Sequence, residues 1–230
     1  MNYLINYGLL ILGTLITLGA QAFIKIAYNK YKKVRNESGI KGSEMARYIL
    51  DKHNMSNVKV VKVSGELTDH YDPTSKVVRL SESIYDSNTI AAIAVAAHEC
   101  GHAVQHATMY SWLQMRSNLV PVVSFASKWV TWLLLGGMLL LRTFPQLLLA
   151  GIVLFALTTL FSFVTLPVEI NASKRALVWL DRSGITSPET HPKAQRALKL
   201  AAYTYVIAAL SSLATLLYYV MIYLGASRRD

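Results

Sequence analysis

The sequence predicts an integral membrane protein of α+β class, mainly α-helical with a small β-sheet, about four transmembrane helices and one HExxH helix. Three observations carry this prediction. Of the 230 residues, 53% are hydrophobic and 16% charged, and the apolar residues are gathered into long runs. Two short stretches rich in Val, Val58–Val63 and Lys76–Leu80, flank a turn-rich segment and read as strands. His98-Glu99-Cys100-Gly101-His102 follows Asn88-Thr-Ile-Ala-Ala-Ile-Ala-Val-Ala-Ala97, which holds neither Pro nor Gly, so the motif falls inside a helix.

Taken in order, residues 1–24 carry no charged side chain, and Tyr3 to Ile24 is long enough, about 33 Å as a helix, to anchor the chain in a bilayer. Lys25, Lys30, Lys32, Lys33 and Arg35 follow it, while no Lys or Arg precedes it. The anchor is therefore read as uncleaved, with its N-terminus outside. Residues 25–118 mix 13 Lys/Arg and 9 Asp/Glu with short apolar runs and hold no span; this is the membrane-associated part with the small sheet and the HExxH helix. Within it, Ser43 as N-cap and Glu44 in the first turn predict a helix through Asp51.

Residues 119–167 read as a transmembrane hairpin turning at Arg142-Thr-Phe-Pro145. Its first arm has a clean run of only about 20 Å from Trp129 to Leu141, so it begins earlier or bends at Pro121, and Lys128 snorkels. Residues 168–199 are polar, with 6 Lys/Arg against 3 Asp/Glu, and residues 200–230 form a last transmembrane helix and tail. Four spans place both basic segments on one side, which the charge bias marks as cytoplasmic, although Arg228 and Arg229 run against the rule. The net charge of +10 has this same origin; no nucleic-acid-binding signature accompanies it, and nucleic acid is not an expected partner.

In a helix, residues four apart share a face, so His98 and His102 can meet one cation. Two imidazoles, a carboxylate and a water around zinc form a hydrolytic arrangement, with Glu99, turned about 100° from His98, as general base. Gly101 would let another segment approach closely beside the metal. Cys100 faces away and reads as a small core residue. A third protein ligand is required. His106 lies two turns along, too far to join the pair, so the carboxylates of 168–199 are the candidates. Glu169, expected at the start of a new helix after the hairpin, is preferred to Asp181 and Glu189.

Leu67-Thr-Asp-His-Tyr-Asp-Pro73, Val78-Arg-Leu-Ser81, Ala94-Val-Ala-Ala-His-Glu-Cys-Gly-His-Ala-Val-Gln105, Leu166-Pro-Val-Glu169, Ala172-Ser173 and Arg175-Ala176 together resemble the YugP-like bacterial membrane neutral zinc metallopeptidases. With the order of spans, the resemblance covers nearly the whole chain. It implies a gluzincin-like site, similar in arrangement to HtpX and the CAAX prenyl endopeptidases. One Zn2+ would be held by His98, His102 and Glu169, with Glu99 as base. Related gluzincins often place an Asp four residues after the ligand Glu to orient a histidine. Here that position is Ser173, with Asn171 nearby, which leaves open what orients the histidines. His70, Tyr71 and Arg175 are the candidates for donating to the oxyanion of peptide hydrolysis.

The expected protein is therefore a multi-pass cell-membrane zinc endopeptidase acting on a membrane-associated protein or peptide from the cytoplasmic side. Two alternatives stand beside it: a zinc-holding membrane scaffold that cleaves nothing, and a zinc hydrolase of lipid or other amides. A further expectation concerns Lys76, Val77, Val78, Arg79 and Leu80. Flanked by charge, they read as an edge strand onto which an extended substrate could add.

Overall fold

The structure, a computed structural model, describes the backbone of residues 3–227, and the side chains in that range other than those of residues 3–13, 16, 27, 28 and 227. The elements in chain order are α1 (Tyr3–Tyr31), α2 (Gly42–Lys52), β1 (Lys59–Val63), β2 (His70–Asp72), β3 (Val77–Ser81), α3 (Glu82–Tyr85), α4 (Ile90–Ala107), α5 (Ser111–Leu139), α6 (Pro145–Arg182) and α7 (His191–Ser227). They divide into two compact units. One holds the chain up to Tyr110 with Val168–Thr204, the other Ser111–Pro167 with the chain from Tyr205.

The first unit is built on α4. Thr89 caps the helix, its hydroxyl accepting from Ala92 N at 3.3 Å. Ala91, Ala92, Ala94, Ala96 and Ala97 are fully buried, and such small side chains let neighbouring elements approach from several directions. Met45, Ala46, Ile49 and Leu50 of α2, Val78 and Leu80 of β3, and Ala176 and Leu180 of α6 complete one core around it. The Cys100 thiol lies in this core, 3.5 Å from the Ala46 carbonyl, and burial pushes its pKa up, as suits a packing residue.

The sheet corrects the edge-strand expectation. Its order is β1-β3-β2, with β1 parallel and β2 antiparallel to β3, so Val78 is paired with Val60 on one side and Tyr71 on the other. Val77 to Leu80 therefore form the central strand and offer no free edge to a peptide. The flanking charges misled: Lys76 lies in the preceding turn with φ 52°, and Arg79 is matched by Asp72 of β2 at 3.1 Å. The turn-rich segment also holds more order than its composition suggests, because Asp69 accepts from Ser81 N at 2.8 Å and from Ser81 Oγ at 3.0 Å. A smaller correction applies to α2. It starts a residue before Ser43, with Glu44 accepting from Lys41 N at 2.8 Å, while Ser43 Oγ donates to the Tyr85 carbonyl.

In the second unit, α5 starts at Ser111 and runs unbroken past Pro121, which resolves the short first arm in favour of an earlier start. Among the described residues, three helices, in α5, α6 and α7, are long and apolar enough to cross a membrane. The expected anchor over 1–24 falls mostly on residues whose side chains lie outside the description, although the α1 backbone is helical from Tyr3. A small cluster of Leu134, Leu148 and Ile152 joins the helices, and Gly137 permits it, since a Cβ there would overlap the Leu148 backbone. Glu169 does not start a new helix, because α6 continues through Pro167. The proline removes one backbone donor, but breaking an apolar helix there would leave several more groups unsatisfied.

Candidate metal centre

His98 and His102 project from one face of α4, their rings edge-on with centroids 4.7 Å apart. Glu169 arrives from α6, and its Oε2 lies 3.2 Å from His98 Nε2 and 3.6 Å from His102 Nε2. Each residue thus offers one ligand atom within 4.8 Å of the others. Two zinc–ligand bonds at a tetrahedral angle hold their donor atoms roughly 3.3–3.4 Å apart, and the two contacts of Glu169, at 3.2 Å and 3.6 Å, lie on either side of that value. The donor set and its spacing fit zinc.

Gly101 makes this convergence possible. A Cβ at that position would come within 2.9 Å of the Ala172 carbonyl oxygen and 3.0 Å of its Cα, so only glycine lets α6 pass this close to the metal helix. The close approach anticipated beside the motif is that of the helix carrying Glu169.

Both rings are gripped at the far nitrogen. His98 Nδ1 is 3.1 Å from Ser173 Oγ, and His102 Nδ1 is 3.0 Å from Gln105 Oε1. Gln105 is fully buried and donates from Nε2 to the Val168 carbonyl at 2.8 Å and to Asn171 Oδ1 at 3.0 Å. Arg175 Nε donates to the same Asn171 oxygen at 2.8 Å. Three residues named from the sequence, Asn171, Ser173 and Arg175, thus lie in the hydrogen-bonded surroundings of the two histidines. Gln105 was missed. Its signal was its position, three residues after His102 and so on the same helical face.

Glu99 is buried, 7% exposed, and among the described residues its carboxylate has no hydrogen-bond or ion-pair partner. It is close enough for its charge to act on His102. Burial works against a charged His102, yet contact with Glu169 and the charges of Glu99 and Glu169 outweigh it and raise the ring's pKa. The side chains of His98 and His102 remain 14% and 12% exposed, against 3% for Glu169, so the centre is open on the histidine side.

The oxyanion candidates separate. His70 is exposed at the start of β2, its Nδ1 2.7 Å from the Thr68 carbonyl, and it is not among the residues gathered at the centre. Tyr71 reaches the metal helix one turn beyond His102, where its hydroxyl lies 3.0 Å from His106 Nδ1. Burial, and then Asp72, push its phenol pKa up, so it stays a proton donor. Asp181 and Glu189 are exposed and stand apart from the cluster.

A family described as "Putative neutral zinc metallopeptidase" matches residues 6–224. A curated relative, "Putative membrane protease YugP" of Bacillus subtilis (strain 168), is 46% identical over 210 residues, 91% of this chain and 92% of the relative. No solved structure matches the chain.

Proposed function

This chain belongs to the neutral zinc metallopeptidase family, and from that premise we propose that it is a membrane-embedded zinc endopeptidase with a single catalytic zinc. The observation that carries the proposal is the convergence of His98, His102 and Glu169, with a Glu169 carboxylate oxygen 3.2 Å and 3.6 Å from the two Nε2 atoms, beside Glu99, which has no hydrogen-bond or ion-pair partner among the described residues.

His98, His102 and Glu169 hold the metal. When bound, zinc supplies Lewis-acid chemistry, acidifying water and polarising a carbonyl. Glu99 takes the proton of the attacking water and passes it to the leaving amine. Tyr71, still protonated and facing the turn after His102, is the best placed of the named donors to meet the oxyanion. The substrate class is a membrane-associated protein or peptide, in keeping with the apolar helices that accompany the centre.

Glu99→Gln is the direct test. The ligands survive and the base is lost, so zinc content is expected to stay at one per chain while peptide hydrolysis falls by about 10²–10⁴-fold. Undiminished turnover by the zinc-loaded variant would refute the mechanism. The charge bias supports a centre on the cytoplasmic side, in a four-span arrangement that includes the anchor at 1–24. Cysteines placed near Ser43 and Glu189 in a Cys100→Ala background are then shielded from impermeant thiol reagents in intact cells. Labelling of both from outside reverses the side, and labelling of one alone breaks the four-span arrangement.

A further inference from the structure

The two histidines of the centre are held by chemically different partners. Ser173 presents a hydroxyl, which rotates to donate or accept, so it accommodates either tautomer of His98. Gln105 has no such freedom. Its Nε2 faces the Val168 carbonyl, which only accepts, so the amide cannot flip without setting two oxygens against each other at 2.8 Å. The second contact of Nε2 points the same way. Asn171 Oδ1 faces Arg175 Nε, which only donates, and that oxygen is thereby an acceptor for Gln105 as well.

With Nε2 committed twice, Gln105 Oε1 is the atom left for His102, and an amide oxygen only accepts. The proton must then be on His102 Nδ1, at 3.0 Å, which leaves the Nε2 lone pair facing the Glu169 side of the centre. We infer that Gln105, pinned by Val168 and by the Asn171–Arg175 pair, is a positioning residue that sets the tautomer of His102 for metal, whereas His98 is left to adapt through Ser173. The inference rests on the zinc-site reading above. It makes one ligand preset and one adjustable, with the preset one supported by a fully buried amide.

The test uses the full chain in lipid or detergent, with zinc alone as the probe and affinity read by competition with a chelator. Gln105→Met keeps the length of the side chain and removes the acceptor; zinc affinity is expected to fall about 10–100-fold. Gln105→Glu keeps an acceptor for His102 Nδ1–H but sets its second oxygen against the Val168 carbonyl, so it is expected to recover affinity in part, above Gln105→Met and below the parent. Ser173→Ala is expected to cost less than Gln105→Met. A Gln105→Glu protein as weak as Gln105→Met would mean that Gln105 merely ties two helices, and would overturn the inference. So would a Ser173→Ala loss equal to that of Gln105→Met, or a Gln105→Met protein that binds as tightly as the parent.

A measurement on the unsubstituted protein decides the matter even where Gln105→Met does not fold. In ¹⁵N imidazole spectra of metal-free protein at alkaline pH, where the ring is neutral, His102 is expected as the Nδ1–H form; the Nε2–H form would sink the idea. His102→Ala separates the two levels. If it binds zinc as the parent does, the metal-site reading fails; if it loses zinc while Gln105→Met keeps it, only the role of Gln105 fails.

Discussion

Apart from α1, whose Leu15, Leu18, Phe23 and Ile26 are exposed, the two units of this chain put their apolar residues to opposite use. In the first, Met45, Ile49, Leu80, Ile90 and Ile93 are at most 1% exposed, and the polar groups taken inside with them include Glu99, Gln105 and Glu169 of the candidate metal centre. In the second, Trp132 is 70% and Leu139 86% exposed, and the buried cluster is small. Exposed apolar surface on this scale is stable where lipid is the solvent. The difference teaches where the chemistry can be built. A metal centre needs fixed donors in a dry, closely packed surrounding, and the first unit makes that interior from its own side chains. The second draws its stability from a medium in which a leucine need not be covered by protein.

If that contrast holds, substitutions at the centre have large and specific effects on zinc. The largest are at the ligands. His98→Ala, His102→Ala and Glu169→Ala should each lower zinc affinity by more than ~100-fold, beyond what loss of an outer hydrogen-bond partner costs. Asp181→Ala and Glu189→Ala should leave it unchanged, since both side chains are exposed and apart from the cluster. Metal analysis of the five purified proteins checks this. Full zinc occupancy in Glu169→Ala would shift the third ligand elsewhere.

Gly101→Ala comes next, because it adds a single methyl group at the tightest point between α4 and α6. Alanine favours a helix over glycine by ~1 kcal/mol, so an exposed position would gain stability. Here the added carbon meets the Ala172 backbone at 2.9–3.0 Å, and backbone cannot swing aside. Overpacking of this kind costs about 1–3 kcal/mol and here acts along the line joining Glu169 to the histidines. Lower thermal stability together with about tenfold weaker zinc is the expected result. A variant as stable as the parent, with unchanged zinc affinity, would mean that the helix spacing does not set the centre.

Much of this centre was legible in the sequence, and for local reasons. The histidines and Glu99 are read from a helical spacing, Gly101 from the absence of a side chain beside them, and Glu169 from its place after an apolar hairpin. What the sequence concealed depended on partners far along the chain. β2 is three residues long and includes His70 and Asp72, so neither length nor alternation announces it. Without β2, the charges around Val77–Leu80 suggested an edge, whereas β3 is enclosed by a parallel and an antiparallel neighbour. Gln105 went unremarked because its significance lies in Val168 and Asn171, more than sixty residues away. Pro167 suggested a helix boundary, but an apolar helix has no better place for its backbone groups than the helix itself.

The smallest expected effect lies in the second unit and sharpens the contrast from the other side. Thr159, 4% exposed on α6, shares a hydrogen bond with Ser212 of α7 at 2.7 Å, and it also donates within its own helix to the Phe155 carbonyl at 3.0 Å. Thr159→Val keeps the shape and removes the hydroxyl. A hydrogen bond between apolar helices contributes only about 0.6 kcal/mol on average, because in the unfolded membrane state the same groups find other partners. Ser212 can likewise turn to a carbonyl of its own helix. Thr159→Val is therefore expected to lower stability toward denaturant by less than about 1 kcal/mol and to leave zinc affinity and hydrolysis at parental values. The same loss of one buried polar partner at Gln105 is expected to reach the metal. A Thr159→Val protein with weakened zinc would show that the second unit helps hold the centre in shape, and the division of labour drawn from the burial pattern would have to be abandoned.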